Sequence, residues 1–303
     1  MAMLSRVKVL GALAALTILL LSPSLLVVPS ASAHATSQII CKQTFIPSPN
    51  VGSGDNGLDG VATITSSDVW AVGEFAGGSA GQTLTEHWDG TSWSVVSSPN
   101  VGAGSNFLDA VSADASNDVW AVGIFSNTGG SSLTLVEHWN GVSWSVVPAV
   151  NFGSALTEFF AVTAVAPNNV WAVGDYQNTG PNQFVLPLTE HWNGASWSAV
   201  PAAIPTGFGG NLHGVAATNS LRVWTVGEKS NNTTIDQTLA EHWTPAGWQV
   251  LNNPSIGTNF SFLRAVSARK TPTPLAFAWA VGAFRDNGAS SQTLTELIVC
   301  TGG

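Results

Sequence analysis

The sequence predicts an all-β fold, a five-bladed β-propeller of four-stranded antiparallel blades. Three observations lead to this prediction. One pattern recurs five times at intervals of about fifty residues, each full copy holds four short apolar segments, and the start of the chain matches the missing end of the last copy. A single sheet of this kind leaves both faces exposed, whereas blades packed side by side around an axis bury them.

Tryptophan carries the repeat in three registers. The first lies in the segment VWAVG at 69–73, the second in the triplet EHW at 86–88, and the third in SWSVV at 92–96. The tryptophan of the first register recurs at steps of 50, 51, 53 and 55 residues, as Trp70, Trp120, Trp171, Trp224 and Trp279. All thirteen tryptophans fall in these registers. We predict that they fill the wedges between blades, where each buries on the order of 150–250 Å².

The second repeat shows the four strand segments most clearly, at 107–113, 119–125, 133–139 and 143–147. Runs of five to seven apolar-rich residues suit strands and are too short for typical helices. Asn140-Gly141 joins the last two segments. Because such dipeptides readily adopt positive φ angles, we predict a type I′ hairpin turn there.

The beginning of the chain has the features of a secretory signal peptide over residues 1–33. Arg6 and Lys8 precede an apolar stretch at 9–28, and Ala31-Ser32-Ala33 suits a cleavage site. A membrane anchor is the alternative, but Pro23 and the small-residue site favour cleavage. We therefore expect an exported protein whose mature part, residues 34–303, is one domain without a membrane span.

The charge of the mature chain argues against two classes of partner. Without Arg6 and Lys8 it has 7 basic and 18 acidic residues, a formal charge of −11. Binding to nucleic acid or to an anionic membrane needs a basic patch that releases counterions. We therefore expect neither partner.

The two ends of the chain complement one another. The fifth repeat ends after its third strand segment, and residues 41–50 align without gaps to 91–100. Cys41 then takes the place of Thr91 and Cys300 that of Gly90, which are consecutive residues in a turn. We predict that the N-terminal strand completes the last blade and that a Cys41–Cys300 disulfide closes the ring, since export permits it. Two unrelated thiols are the alternative.

The recurring segments VWAVG, EHWNG and SWSVV, spread over residues 41–300, resemble the kelch-type and galactose-oxidase-like repeats of secreted bacterial β-propellers. The resemblance implies the fold. It implies no oxidase activity, because the copper site of that family uses several tyrosines and a cysteine cross-link. This chain has one tyrosine, Tyr176, and both of its cysteines are assigned to ring closure. We expect neither a metal nor a cofactor.

The triplet Glu86-His87-Trp88 recurs in each of the first four repeats. Strand alternation places Glu86 and Trp88 on one face and His87 on the other. The copies sit on different blades, so their histidines do not converge on one metal. We interpret the triplet as a hydrogen-bond network that stabilises each blade, with a metal or catalytic role as the alternative.

Candidate functional residues are those that break the repeat near the axis. Two registers qualify, one on the innermost strand and one directly after the glycine of WAVG. Together they form an uneven, acidic ring if both face the mouth of the channel. The candidate binding residues are Asp59, Asp109, His213 and Arg264 on the inner strand, and Glu74, Asp175 and Glu228 after the glycine.

The regular ring of tryptophans, without a unique reactive group, favours a monomeric binding module over an enzyme. We expect its partner to be a carbohydrate or a cell-surface protein, and we assign no catalytic residue. One alternative is a glycan hydrolase that draws its two carboxylates from Asp59, Asp109 and Glu74. Another is a structural surface protein without a small-molecule ligand.

Overall fold

The computed structural model describes residues 43–127, 129–152, 156–178, 184–231, 235–252, 256–269 and 276–300. All of the strands lie in the compact unit that begins at Ile46. Within the described residues there is no helix of the length and hydropathy needed to cross a bilayer. The predicted signal peptide, residues 1–33, lies outside them and stays a prediction.

Each of the first four repeats folds into one sheet of four antiparallel strands, and the fifth repeat folds into a sheet of three. The first two sheets contain β1 (Asn56–Thr65), β2 (Asp68–Ala76), β3 (Gly81–Trp88), β4 (Trp93–Val95), β5 (Asn106–Ala115), β6 (Asp118–Ser126), β7 (Ser132–Trp139) and β8 (Trp144–Val146). The next two contain β9 (Thr157–Ala166), β10 (Asn169–Gln177), β11 (Val185–Trp192), β12 (Trp197–Ala199), β13 (Gly209–Asn219), β14 (Arg222–Ser230), β15 (Gln237–Thr244) and β16 (Gly247–Val250). The last contains β17 (Phe260–Arg269), β18 (Ala276–Arg285) and β19 (Gln292–Cys300).

The five sheets pack in chain order, each against the next. Their first strands contact one another in series, from β1 through β5, β9 and β13 to β17, so these strands form the inner side of the arrangement. We call the face that each sheet turns toward the next sheet its front face, and the opposite one its back face. The all-β prediction of five antiparallel sheets, consistent with propeller blades, is confirmed.

Closure of the ring is not confirmed. The described part of the predicted N-terminal strand, residues 43–50, forms no strand, and the last sheet has three strands. Cys300 is half-buried at the end of β19, and Cys41 lies outside the described residues. The Cys41–Cys300 disulfide therefore stays a prediction.

Tryptophans fill the wedges between the sheets. Trp70 on the front face of the first sheet packs against Trp139 and Trp144 on the back face of the second, with ring centroids 4.8 and 5.2 Å apart. The two following interfaces repeat this arrangement, with Trp120 against Trp192 and Trp197, and Trp171 against Trp243 and Trp248. Such aromatic pairs add about 0.5–1.5 kcal/mol each to the free energy of burial.

The hairpin turn differs from the predicted type I′ geometry. Trp139 pairs with Trp144, so four residues connect β7 and β8, and Asn140 begins the turn instead of occupying its centre. Its side-chain Oδ1 accepts hydrogen bonds from the backbone N–H groups of Val142 and Ser143, at 2.9 and 3.0 Å. Gly141 supplies the positive φ of 90°. An asparagine side chain that satisfies the turn's own backbone explains the shift by one residue.

An asparagine fixes the chain where each of the first two inner strands begins, and the second of them, Asn106, is buried. Asn106 Oδ1 accepts from Val101 N at 2.8 Å, and its Nδ2 donates to the carbonyls of Val101 and Gly104 at 3.2 and 3.0 Å. We expect Asn106→Ala to lower the free energy of unfolding by about 2–4 kcal/mol, because buried backbone groups lose their partners. Asn127→Ala, which removes hydrogen bonds in a surface turn, should cost less than about 1 kcal/mol. Urea denaturation measures both, and equal losses would contradict this account.

Candidate functional site

The candidate residues of the innermost strands share one structural feature. In every sheet the pairing between the first and second strands skips one residue of the first strand, which makes a β-bulge. The skipped residues are Asp59, Asp109, Phe160, His213 and Arg264, the same register that the sequence singled out. Bulges redirect side chains and occur often beside functional sites.

The second candidate register lies on the neighbouring strand, close to the bulge. Glu74 pairs with Gly57, Asp175 with Glu158, and Glu228 with Asn211. In each pair the residue of the inner strand lies two positions before the bulged residue of its own sheet. The two registers therefore come together at one end of the inner strands.

Six carboxyl groups form a row across the first four sheets, which we call the inner carboxyl row: Asp59, Glu74, Asp109, Glu158, Asp175 and Glu228. Neighbours in the row interact. Glu74 hydrogen-bonds Asp59. The negative charges of Asp59, Glu158 and Glu74 repel the carboxylate of Asp109. Asp175 is in turn influenced by Glu158 and Glu228.

Burial and mutual repulsion hold protons on this row. Burial, followed by repulsion from Asp59, Glu158 and Glu74, raises the pKa of Asp109 to about 6. Burial, followed by repulsion from Glu158 and Glu228, raises the pKa of Asp175 to about 7. Near neutral pH the row therefore contains both carboxylates and carboxylic acids, which accept and donate hydrogen bonds respectively.

Asp175 is the most deeply buried member of the row, at 3% exposure. Its Oδ1 has no hydrogen-bond partner among the described residues. The side-chain amide of Asn211 lies beside it, with its two terminal atoms 3.3 Å from Asp175 Oδ2 and 3.3 Å from Glu228 Oε1. A buried, half-satisfied carboxyl group is costly.

Aromatic and basic side chains border the row on the fourth and fifth sheets. His213 Nε2 lies 3.5 Å from Glu228 Oε2, and the His213 ring lies 5.6 Å from that of Phe160. Arg264 is exposed, and its guanidinium lies 4.7 Å from the centroid of the Phe262 ring. The surface thus changes from acidic on the first sheets to aromatic and basic on the last.

The Glu-His-Trp triplets lie in the sheets, away from this surface. His87 stacks on Trp70, with ring centroids 4.6 Å apart, and shares a hydrogen bond of 2.9 Å with Asp68. Glu86 points to the back face, where its carboxyl group lies beside the side chain of Ser48, as that of Glu137 lies beside Ser98. In the next two sheets Glu190 and Glu241 accept from the backbone N–H groups of Val150 and Ala203. The triplets therefore tie each sheet to its neighbours.

Within the part of the chain that the structure describes, no three carboxyl, imidazole or thiol groups are placed to hold a metal ion. A cavity of about 250 Å³ lies elsewhere, beside β11 and the segment that follows β12. Its walls are mostly apolar and include Tyr176, Pro187 and Ile204. It offers little acid–base chemistry, so we place the candidate site at the inner carboxyl row.

Sequence reasoning missed two members of this surface, Glu158 and Asn211. Both occupy the inner-strand position opposite the second register, where the other sheets have Gly57, Phe107 and Phe262. That position also breaks the repeat. The same criterion, applied two residues earlier on the inner strand, would have found Glu158 and Asn211.

No protein-family model matches the chain, and neither does any curated protein. The solved structures that resemble it are β-propeller proteins. They include the SapL1 lectin in complex with alpha methyl fucoside, at 16% identity and a TM-score of 0.46 over 82% of this chain and 80% of that one. An alpha-L-arabinanase from Penicillium chrysogenum, complexed with arabinobiose, has 11% identity and a TM-score of 0.45 over 80% and 93%. YCF48 bound to D1 peptide has 15% identity and a TM-score of 0.43 over 84% and 72%.

Similarities this weak assign neither a ligand nor an activity to the chain. They also leave the kelch-type resemblance as a prediction. A function for this protein therefore has to be argued from its own side chains.

Proposed function

We propose that this chain is an exported carbohydrate-binding protein whose ligand contacts the inner carboxyl row. The observation that supports this is a row of acidic groups that the fold does not require, in which the buried Asp175 has one carboxyl oxygen, Oδ1, without a hydrogen-bond partner among the described residues. The second and fifth sheets have Ile124 and Ala283 at the same position and form equivalent strands. An arrangement that is costly and unnecessary for folding is expected at a functional site.

The chemistry of the row suits a polyhydroxylated ligand. Carboxylates, Asp109 among them near neutral pH, accept hydrogen bonds from hydroxyl groups, and Asp175 donates a hydrogen bond when it is protonated. The rings of Phe160 and His213 offer an apolar surface for the face of a sugar ring. The row repels anions, so we expect neutral or amino sugars to bind and uronic acids or sulfated glycans to be rejected.

A glycan array, followed by calorimetric titration of the best oligosaccharide, tests the proposal. Asp109→Asn should weaken binding by about 10–100-fold, because a hydrogen bond to a charged group is lost. Asp114→Asn is the matched control, since Asp114 lies on the same strand, β5, and is exposed. Absence of binding to any neutral or amino glycan, or an equal loss in both variants, would contradict the proposal.

A glycan hydrolase is the second candidate function. The raised pKa of Asp109, beside the carboxyl of Asp59, is what a general acid next to a second carboxylate requires. In that case the bound oligosaccharide is cleaved, and Asp59→Asn and Asp109→Asn abolish cleavage while thermal unfolding is unchanged. A reducing-end assay measures this. Full activity in both variants would remove the hydrolase from consideration.

A further inference from the structure

Asp175 has acidic neighbours on its own sheet and on the next. Asp175 and Glu158 stand directly opposite each other on paired strands, so their side chains share one face and their Cβ atoms lie roughly 4.5–5.5 Å apart. Like charges in this position destabilise a sheet. Glu228 of the fourth sheet is a further carboxylate that repels Asp175. Negative charge is thus concentrated at the most deeply buried member of the inner carboxyl row.

The basic side chains near this site do not offset the charge. Lys229, next to Glu228 in the chain, donates from Nζ to the carbonyl oxygen of Thr238 at 3.0 Å. His213 lies beside Glu228, with its Nε2 3.5 Å from Glu228 Oε2. Among the described residues, the charges that act on Asp175 itself are those of carboxylates. A positively charged ligand group is therefore favoured beside Asp175.

Asn211 cannot donate to both of the carboxyl groups that it touches. One terminal atom of its amide lies 3.3 Å from Asp175 Oδ2, and the other lies 3.3 Å from Glu228 Oε1. The nitrogen of an amide donates, whereas its oxygen only accepts. Whichever way the amide is turned, one of the two carboxyl groups meets an acceptor and has to hold a proton. Because Asp175 is the more deeply buried of the two, we assign the proton to its Oδ2.

The other oxygen of Asp175, Oδ1, is buried and has no hydrogen-bond partner among the described residues. We propose that it accepts a hydrogen bond from a primary ammonium group of the ligand, and hence that the preferred ligand is an oligosaccharide of amino sugars. An ammonium group brings three donors and a positive charge, whereas a hydroxyl group brings one donor and no charge. This inference rests on the proposed function and narrows its ligand class from neutral or amino sugars to amino sugars.

Binding of an ammonium group should displace the proton of Asp175. Burial and the charges of Glu158 and Glu228 raise the pKa of Asp175 to about 7, and an adjacent cation lowers it again. The O–H bond then breaks, the proton passes to the buffer, and the ammonium group keeps its own hydrogens. The titratable groups on the strands around Asp175 are Glu158 on β9, Glu228 on β14 and, beside Glu228, His213 on β13, whereas β11 places Pro187 opposite it.

Calorimetric titration at pH 6.5 with the trisaccharide of glucosamine and with its N-acetylated counterpart tests the inference in two buffers of different protonation enthalpy. We expect the glucosamine trisaccharide to bind about 10–100-fold more tightly. It should also release about half a proton or more per molecule bound, because Asp175 is mostly protonated at this pH. Equal affinities, tighter binding of the acetylated trisaccharide, or binding of the glucosamine trisaccharide without proton release overturns the inference.

Asp175→Asn keeps the shape of the side chain and removes its negative charge. In this variant the affinity for the glucosamine trisaccharide should fall to about that for the acetylated one, and the proton release should disappear. Asp114→Asn, an exposed change on β5, should keep both the preference and the proton release. A preference for the glucosamine trisaccharide that survives in Asp175→Asn overturns the inference, because the ammonium group then binds elsewhere.

Spermidine, an amine without a sugar ring, separates this inference from the proposed function. Binding of spermidine that is weaker than that of the glucosamine trisaccharide supports both. If spermidine binds and depends on Asp175 while no glycan binds, the ammonium site is supported and the carbohydrate-binding function is overturned. If the two trisaccharides bind equally well, the ammonium site alone is overturned.

Discussion

Raising the pH from 6.5 to 8.5 should destabilise this protein by on the order of 4 kcal/mol, which lowers its thermal midpoint by roughly 10 °C. The cause is a set of buried carboxyl groups that keep their protons in the folded state. Burial raises the pKa of Glu137 to about 8, and that of Glu190, Glu241 and Asp175 to about 7.

The sign follows from the protons bound in each state. Unfolded glutamates lose their protons near pH 4.5, so at pH 6.5 the folded state binds more protons than the unfolded one. Each carboxyl that is still protonated lowers the free energy of unfolding by about 1.4 kcal/mol per pH unit. The stabilisation is complete below pH 4.5 and is lost as the pH rises through the folded pKa values. Burial lowers the pKa of His191 and His242, which has the opposite effect, but only below about pH 6.5.

Glu137→Gln provides the decisive variant, because the amide keeps the shape of the side chain and cannot titrate. As the pH rises toward 8, the free energy of unfolding of this variant should fall less steeply than that of the wild type, by about 1.4 kcal/mol per pH unit. Val146→Gln, which adds the same amide on the partner strand, should keep the wild-type slope. Thermal scans in matched buffers measure all three, and a flat wild-type profile would contradict the account.

Gly227→Ala should destabilise the protein by about 3 kcal/mol or more, the upper end for overpacking of a core. Gly227 stands opposite the bulge of the fourth sheet. A Cβ placed there would lie 1.9 Å from the carbonyl oxygen of Asn211 and 2.9 Å from Leu212 Cα. Both are backbone atoms of a paired strand, so relief requires the first and second strands to separate.

The matched control for this prediction is Gly129→Ala. A Cβ at Gly129 meets only the side-chain oxygen of Asn127, at 3.3 Å, in an exposed turn. Chemical denaturation followed by tryptophan fluorescence compares the two variants. Equal stability of Gly227→Ala and Gly129→Ala would show that the inner strands do not approach as closely as described.

Much of the fold could be predicted because the same pattern of strand and turn residues recurs five times in the sequence. Turn residues bounded the strands, and strand alternation placed Glu86 and His87 on opposite faces of their sheet. The predicted type I′ turn at Asn140 was wrong. The sequence does not reveal whether an asparagine lies at the centre of a turn with positive φ or begins the turn and accepts hydrogen bonds with its side chain. The predicted N-terminal strand is wrong for its described part, since residues 43–50 form no strand, whereas the Cys41–Cys300 disulfide stays a prediction.

The candidate site was predictable only in part. Asp59 and Asp109 stood out because they break the repeat, and the structure shows that they are bulge residues. The bulge itself leaves no mark in the sequence, so the proximity of Glu158 and Asn211 to Asp175 could not be foreseen. Burial, which raises the pKa of Asp175, is likewise a property of the assembled sheets.

We predict that the two ends of this chain meet, so that five sheets form one ring around the inner carboxyl row. Alkylation of the exported, unreduced protein under denaturing conditions, followed by intact-mass measurement, tests it most directly. We expect a monomer with no alkylated thiol, and two alkylated thiols, at Cys41 and Cys300, after reduction. Two alkylated thiols before reduction, or a disulfide-linked dimer, would contradict it.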